Sequence, residues 1–520
     1  MSINKTIFNS KSSSVLLVLA FLIVLNILIS QKPFYIDLTE EKIYTISNAS
    51  KDILRGLESD VNVTFYISDD LPVDLIGTKT QLEDLMNQYK DISGKLKVSY
   101  NMPENNDETV AELGQKGIPQ IQFNVIEKDK YEVRQGFFAA EITSDFEGET
   151  KREVMPIIQS IDSWEYDFIS AVYSVSRDQK EVVAFLKGHE ENEIQIPDLL
   201  KSYDILNVQI QSEGGEKGFY FEKEKEQAQP AVEGEEATPA ETEKIFIHPI
   251  TLIISGPKTK LTEGENAIIE EYMKSGGNVI VLSEAIAPDM QKNLEPVVVE
   301  NGLNNLIKKR GIEIDSNLVY DKSNSNITYQ QGFFSVSKAY PFWIKIVKEN
   351  FGSHPSLSAV QSIMLPWASS LSTNDDSYEI IPILKTTNYA QTMSENYALL
   401  PDVNHYFSAG AQKTVAAISR SKEENSSEGI LVVVGDSDFA SVNFARQSPD
   451  NVSFFLNLVD SISNSANLSS IRSKNIVDRP LKELDESEKN YWKFIAIFGG
   501  AIAVNLYGVF RITRRKKRSR

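Results

Sequence analysis

The stretch TLIISGPKTKLTEGENAIIEEYMKSGGNVIVLS, residues 251–283, decides the reading of the fold. It opens with Leu252, Ile253 and Ile254, an apolar run of the kind that fills a strand buried on both faces. Gly256-Pro257 stops that strand, and Thr262 with Glu265 three residues on is a capping box that satisfies the first free amides of a helix. Ile268, Ile269, Tyr272 and Met273 recur at helical spacing until Gly276-Gly277 closes the helix, and Val279 to Leu282 forms a second apolar strand. Strand, helix and strand at this spacing make a β-α-β unit. A parallel pair joined in this way implies an open α/β sheet with helices on its faces.

Working outward, residues 181–186 (EVVAFL) and 430–434 (ILVVV) are further buried strands, followed respectively by Gly188-His189-Glu190-Glu191 and Gly435-Asp436-Ser437-Asp438. These strands assign residues 177–470 to one large open-sheet domain, of a flavodoxin- or glutamine-amidotransferase-like kind. Residues 212–244 interrupt it with a Glu-, Lys-, Ala- and Pro-rich segment that reads as a disordered acidic insertion. Residues 324–401 are aromatic and serine-rich without clean periodicity, and their elements are not assignable from sequence.

Upstream, Val61, Val63, Phe65 and Ile67 alternate as a half-buried strand, and Leu82, Leu85, Met86, Tyr89 and Ile92 make a helical stripe. Leu96, Val98 and Tyr100 form the next strand, and Ile118-Pro119 precedes a hairpin through residues 128–130. This is a thioredoxin-like layout over residues 32–176, in which that proline is expected cis, and Trp164 to Val175 is expected to lead out of the domain as a helix. The chain has no cysteine, so the layout brings no thiol chemistry, disulfide or thiolate metal site.

The formal net charge of −20 argues against a nucleic-acid surface, which needs a basic face to release counterions. The four histidines, His189, His248, His354 and His405, are scattered, so the expectation is no metal and no cofactor. Residues 13–31 are largely apolar after Lys5 and Lys11, and residues 491–510 form a second apolar span entered through Tyr491 and Trp492. Residues 511–520 carry seven positive charges. These features predict an inner-membrane protein with two transmembrane helices, cytoplasmic tails at 1–12 and 511–520, an extracytoplasmic (periplasmic) main body and a stalk at 471–490. Asn26, Gly499, Ala503 and Asn505 are then the candidate helix-packing positions, with Gly499 and Ala503 forming a small-xxx-small face.

Among the motifs, Gly435, Asp436 and Asp438 stand just past the end of a buried strand, where open sheets place ligands. Paired acids there suit a cation or acid-base work, but they equally suit a glycine turn with a capping Asp. Gly188, His189 and Glu191 occupy the equivalent place after another strand, and Gly256-Pro257 a third. Neither Gly-x-Gly-x-x-Gly, nor Gly-x-x-x-x-Gly-Lys-Ser/Thr, nor Gly-x-Ser-x-Gly occurs, so no phosphate cradle or nucleophile elbow is present and no catalytic residue is assigned.

Several motifs occur together in a fixed order: Asp37 to Lys42 with Tyr44 to Ser47, Ile254-Ser255-Gly256-Pro257, Gly435 to Phe439, Phe454-Phe455-Leu456-Asn457, and Ile471 to Lys474. On these residues the chain resembles the GldG-type auxiliary proteins of gliding-motility ABC transporters. The resemblance implies a non-catalytic auxiliary subunit whose partners are a polytopic permease and a separate ATPase. The family often shows Gly-His-Gly-Glu after the first of these strands, whereas this chain has Glu190 in the third position. An α/β hydrolase-like enzyme using Asp436, Asp438 or His189, and a scaffold binding an envelope protein or polymer, remain as alternatives.

Overall fold

The computed structural model describes residues 18–22, 45–69, 71–127, 130–146, 148–158, 161, 164–177, 180–194, 203–224, 242–331, 333–357, 360–374, 376–423, 426–463, 471 and 486–518. It is mixed α/β. The first body runs α1 (Asn48–Arg55), β1 (Val61–Ile67), α2 (Val73–Ile92), β2 (Leu96–Asn101), α3 (Asp107–Gln115), β3 (Ile121–Glu127), β4 (Lys130–Gly136), β5 (Phe138–Phe146), β6 (Glu149–Met155) and α4 (Trp164–Val175). Its sheet has the order β2-β1-β5-β6, with β1 and β2 parallel and β5 antiparallel to β1, while β3 and β4 pair as a separate hairpin.

Val61, Val63 and Phe65 are fully buried on the alternating face of β1, against Leu82, Met86 and Tyr89 of α2. The helix expected to leave this body instead closes it. Trp164, Phe168 and Val172 are buried in the same core, and the Tyr89 and Phe168 rings stack with centroids 5.2 Å apart. Ile471, assigned by sequence to a stalk, is also buried there. No cis peptide bond occurs among the described residues, so the Ile118–Pro119 bond is trans, contrary to expectation.

The second body is organised on a nine-stranded sheet. Its strands are β7 (Glu181–Leu186), β8 (Tyr203–Gln211), β9 (Gly218–Glu224), β10 (Thr242–Ile247), β11 (Thr251–Ser255), β12 (Asn278–Leu282), β21 (Tyr378–Lys385), β23 (Thr414–Ser421) and β24 (Leu431–Val434). The order is β10-β9-β8-β7-β11-β12-β24-β23-β21; β8, β7, β11, β12 and β24 are mutually parallel, and the edges are antiparallel. Helices α5 (Glu263–Lys274) and α6 (Asn304–Lys308) contribute Ile269, Tyr272, Met273, Leu306 and Ile307 to one face, over Leu252, Ile254, Val279 and Val281. Helices α7 (Val442–Gln447) and α8 (Pro449–Ile462) follow β24. Phe454, Phe455, Leu458 and Val459 of α8 cover Ile253, Ile280 and Val432 on the other face. β11 and β12 therefore bury every residue, as mainly apolar strands with helices on both sides do.

Residues 286–373 and 391–393 supply smaller sheets. β13 (Ile286–Asp289) pairs with β14 (Glu295–Val298), β15 (Ile312–Ile314) with β20 (Leu371–Thr373), and β16 (Leu318–Tyr320) with β22 (Gln391–Met393). β17 (Asn324–Gln331), β18 (Phe334–Val347) and β19 (Ser362–Pro366) form a three-stranded sheet.

Two expectations fail here. Residues 218–224 and 242–244, placed in a disordered insertion, belong to β9 and β10, which extend the main sheet; residues 225–241 lie outside the described residues. The few aromatic residues of the segment account for the strand. Phe219 and Tyr220 are buried, and Phe219 packs edge-on against Tyr272 with centroids 5.0 Å apart.

The second failure concerns the anchors. Among the described residues no helix is long and apolar enough to cross a membrane. This overturns the two-transmembrane reading and the two-pass inner-membrane localisation with a periplasmic body. Of the first expected span, residues 13–31, only residues 18–22 are described, and they are helical. The second lies in α9 (Glu486–Arg518), which begins among Glu486, Glu488 and Lys489 and ends in a run of Arg and Lys. This helix belongs to a separate unit, residues 476–520.

Replacing Phe219 by Ala removes an aromatic ring from the interface of β9 with α5, and an unfolding free energy lower by about 3 kcal/mol is expected. Denaturant titration measures it; a loss under about 0.5 kcal/mol would mean that the β9–β10 edge contributes nothing to the sheet.

Candidate functional site

The strand order fixes where a crevice forms. From β7 the chain crosses to β8 on one side, whereas from β11 it crosses to β12 on the other, so the sheet reverses direction between β7 and β11. Open α/β sheets bind ligands outside the carboxyl ends of the strands at such a point. The loops after β7 and β11 meet there and are joined by the loops after β12 and β24.

The β7 loop enters through Gly188, with φ +117°. His189 is buried, and its carbonyl accepts the amides of Lys258 (2.8 Å) and Thr259 (3.2 Å) in the loop after β11. Its Nε2 lies 3.3 Å from Glu265 Oε1, and its own amide donates to Glu191 Oε2 at 3.0 Å. The ring Nδ1 stands 3.4 Å from Glu191 Oε1, without hydrogen-bond geometry. Glu265 is thus both the capping-box partner of Thr262 and the neighbour of His189. Burial pushes its carboxyl up, but the Thr262 amide and hydroxyl and the His189 ring hold it below the ordinary value.

Glu190 adopts φ +57° on the surface. The left-handed turn favoured by glycine is therefore kept here with a side chain in it.

Gly256, with φ +54°, carries the β11 chain beneath the other loops. A Cβ there would lie 2.5 Å from Ser437 Oγ and 2.7 Å from Asn192 Nδ2, so only glycine allows this approach. Asn192 donates from Nδ2 to Ser437 Oγ at 2.8 Å, and its amide donates to Ser255 O at 2.8 Å, tying the β7, β11 and β24 loops together. Pro257 is buried in the same turn.

The loop after β24 brings the acids. Gly435 packs where a Cβ would meet Ser369 O at 2.2 Å. Asp436 is fully buried, and its Oδ1 accepts the amides of Asp438 (2.6 Å) and Phe439 (3.0 Å). Its Oδ2 has no hydrogen-bond partner. Glu284, at the end of β12, is buried beside it and accepts the Ser437 amide on Oε2 at 2.8 Å.

Burial, then Asp438 and Glu284, push the Asp436 carboxyl well above its ordinary value. Burial and Glu284 push Asp438 up to about 7, with Lys258 pulling the other way. Burial likewise raises Glu284 against the pull of the Ser437 hydrogen bonds. Among the described residues no group of three or more His, Asp or Glu side chains is disposed to hold a metal ion. The arrangement suits hydrogen bonding by protonated carboxyls in a water-poor rim.

The structure thus gathers all three loops singled out in the sequence: Gly188, His189 and Glu191; Gly256 and Pro257; Gly435, Asp436 and Asp438. Sequence reasoning missed Glu284, Asn192 and Lys258, and it saw Glu265 only as a cap. The one available signal was position, since Glu284 follows a buried strand just as Asp436 does. Asn26 lies outside the described residues, and Gly499, Ala503 and Asn505 lie on α9.

A family of ABC-type uncharacterized transport systems matches residues 180–466, more than half of the chain, and a domain of unknown function matches residues 40–143. An uncharacterized protein of Borreliella burgdorferi is 23% identical over 527 residues, covering 96% of this chain and 97% of its own length. Among solved structures, the mmIFT52 N-terminal domain aligns over 55% of this chain and 97% of its own, with 15% identity and a TM-score of 0.33. The exo-β-1,4-mannosidase Op5Man5 from Opitutaceae bacterium strain TAV5 aligns over 77% of this chain and 50% of its own, with 9% identity and a TM-score of 0.20. Neither structural likeness is close enough to carry an argument.

Two outcomes follow from this geometry. In Glu190→Gly the left-handed residue loses its Cβ, and a gain in stability of about 0.5–1 kcal/mol is expected, whereas Glu190→Val should lose more than that. Equal melting temperatures for the two variants would show that the turn is not held at φ > 0. The second concerns pH. Asp438 ordinarily titrates at 3.8 and in the folded chain near 7, so the folded state holds a proton that the unfolded state has released between those values. Stability from this group is then present at low pH and lost as pH rises toward 7. Asp438→Asn should be close to the unsubstituted chain below pH 4 and more stable than it at pH 7.5, by on the order of a few kcal/mol. A stability difference that stays constant across this range would remove Asp438 from the buried acid group.

Proposed function

Because the chain belongs to the family of auxiliary components of ABC-type uncharacterized transport systems, it works together with transporter subunits, and we propose that it does so as a non-catalytic subunit of the gliding-motility type. Its partners on this reading are a polytopic permease and a separate ATPase. The observation that carries the reading is the family match across β7 to α8, the whole of the nine-stranded body. The site supports it in one respect: Asp436 spends one carboxylate oxygen on the amides that shape its own loop, as a turn-forming residue does. The strand order β2-β1-β5-β6 supports a thioredoxin-like reading of the smaller body, as a scaffold without thiols.

A second reading has its own observation. Three buried carboxyls with raised pKa at a switch point are the sort of group that acid-base enzymes use. The two readings part on one experiment. The full chain is purified by affinity from gently solubilised cells, alongside Asp436→Asn/Asp438→Asn. On the auxiliary reading an ABC ATPase and a permease co-purify with both forms, and transport-linked function persists in the variant. Loss of function by about 10²-fold or more with the complex intact would instead identify the acids as an acid-base pair. An unsubstituted chain that recovers neither ATPase nor permease would sink the auxiliary reading.

A further inference from the structure

The β17–β18 pair extends as a two-stranded ribbon beyond the sheet it belongs to. Its base is secured: β18 pairs with β19 over Trp343 to Val347, and Tyr340, Phe342, Trp343 and Trp367 pack as one aromatic cluster. The Tyr340 hydroxyl donates to Leu399 O at 2.7 Å and accepts from Trp367 Nε1 at 3.1 Å. The outer end has no such cover. Thr328, Gln330, Ser335 and Ser337 are exposed, and the last backbone pair, Gln331 with Phe334, leaves Phe333 at the tip. Relative exposures there are 103% for Phe333 and 76% for Phe334, so neither ring contributes burial to the fold. Tight hairpin turns favour Gly, Asn or Asp, so local turn chemistry does not call for a phenylalanine pair.

The charge of the ribbon is also unlike that of the chain. Residues 324–347 hold two lysines, Lys338 and Lys345, and no Asp or Glu, in a protein of net charge −20. Adjacent exposed aromatics flanked by cationic and uncharged polar side chains are the composition of an interface anchor.

We propose that the β17–β18 tip is a docking finger for a protein subunit of the transport system, with Phe333 and Phe334 entering an apolar recess bordered by acidic residues. This rests on the auxiliary reading, which puts transporter subunits beside this chain. A protein recess fits better than an anionic lipid surface, because the outer ribbon carries a single lysine, Lys338, where lipid-binding segments cluster four or more. The Ser, Thr and Gln side chains along the ribbon, and the free outer edge of β17, supply hydrogen-bonding groups for a protein rim.

The test uses the full chain with Phe333→Ser/Phe334→Ser, and separately Lys338→Glu. Both variants should melt with the unsubstituted chain, because the substituted rings are solvent-exposed. Recovery of the identified ATPase or permease should fall at least tenfold in the Phe variant, and Lys338→Glu should weaken recovery more at low than at high salt. Undiminished recovery with the Phe variant overturns the proposal. So does retained recovery together with lost sedimentation on phosphatidylglycerol vesicles, which would make the tip a lipid contact. If the unsubstituted chain recovers no transporter subunit, the auxiliary reading falls and the finger falls with it. If subunits are recovered equally by all forms, the auxiliary reading stands and only the finger is lost.

Discussion

The backbone of β11 is hydrogen-bonded on both sides, to β7 and to β12, and its five residues are all buried. That central position constrains the rest of the larger body. A parallel strand needs a crossover on each side, and the crossovers that leave β7 and β11 travel in opposite directions along the sheet. The loops at the carboxyl ends must therefore separate at one place, and the polar residues there inherit their neighbours from topology. Asn192, Glu284 and Ser437 come from three different strand ends and are joined by hydrogen bonds through Ser437, with Gly256 of a fourth packed beside it. Helix burial on both faces makes the arrangement stiff: α5 and α8 each set three or more large side chains against alternate residues of the same strands.

A polar rim on a dry sheet brings an electrostatic cost. Glu284 and Asp436 sit where water is excluded, and desolvation is the leading cause of their raised pKa values. Two ionised carboxylates side by side in that setting would repel, so the folded chain favours the protonated forms. Lys258 opposes this for Glu284 and Asp438 but is itself exposed, and a solvated ammonium offsets only part of the burial of its partners. The backbone amides of Ser437, Asp438 and Phe439 supply the remaining stabilisation, as fixed dipoles that cost nothing to orient.

What was legible in the sequence follows from range. The β-α-β stretch and the Thr262–Glu265 capping box are local, and each could be read from residues within one turn of each other. The contact of His189 with Glu265 spans 76 positions and that of Ser437 with Glu284 spans 153, so no periodicity carries them. Composition misled at 212–244, where Phe219 and Tyr220 bury themselves at the sheet edge despite a charged, Pro-rich surround. It misled at the C-terminal end as well, where the apolar letters lie inside a helix that begins among Glu486, Glu488 and Lys489 and ends in Arg and Lys. Residues 324–401 were unreadable for a different reason: apart from β21, which joins the edge of the main sheet, their strands pair in small sheets of two or three, with partners up to 75 positions away.

The loop after β7 shows how topology overrides residue preference. A side chain in the left-handed region costs about 1–2 kcal/mol, yet Glu190 sits there. Its two neighbours leave no alternative. The His189 carbonyl is held by the amides of Lys258 and Thr259, its N–H by the Glu191 carboxylate, and the Asn192 amide by Ser255 O, so both ends of the turn are pinned to strand β11 and its exit. With the ends fixed and four residues to connect them, the dihedral at position 190 is determined by closure. The glycine common at this position in the resembling family would relieve strain without moving the path. The path itself belongs to the contacts between loops, and His189 reaches Glu265 whichever residue makes the turn.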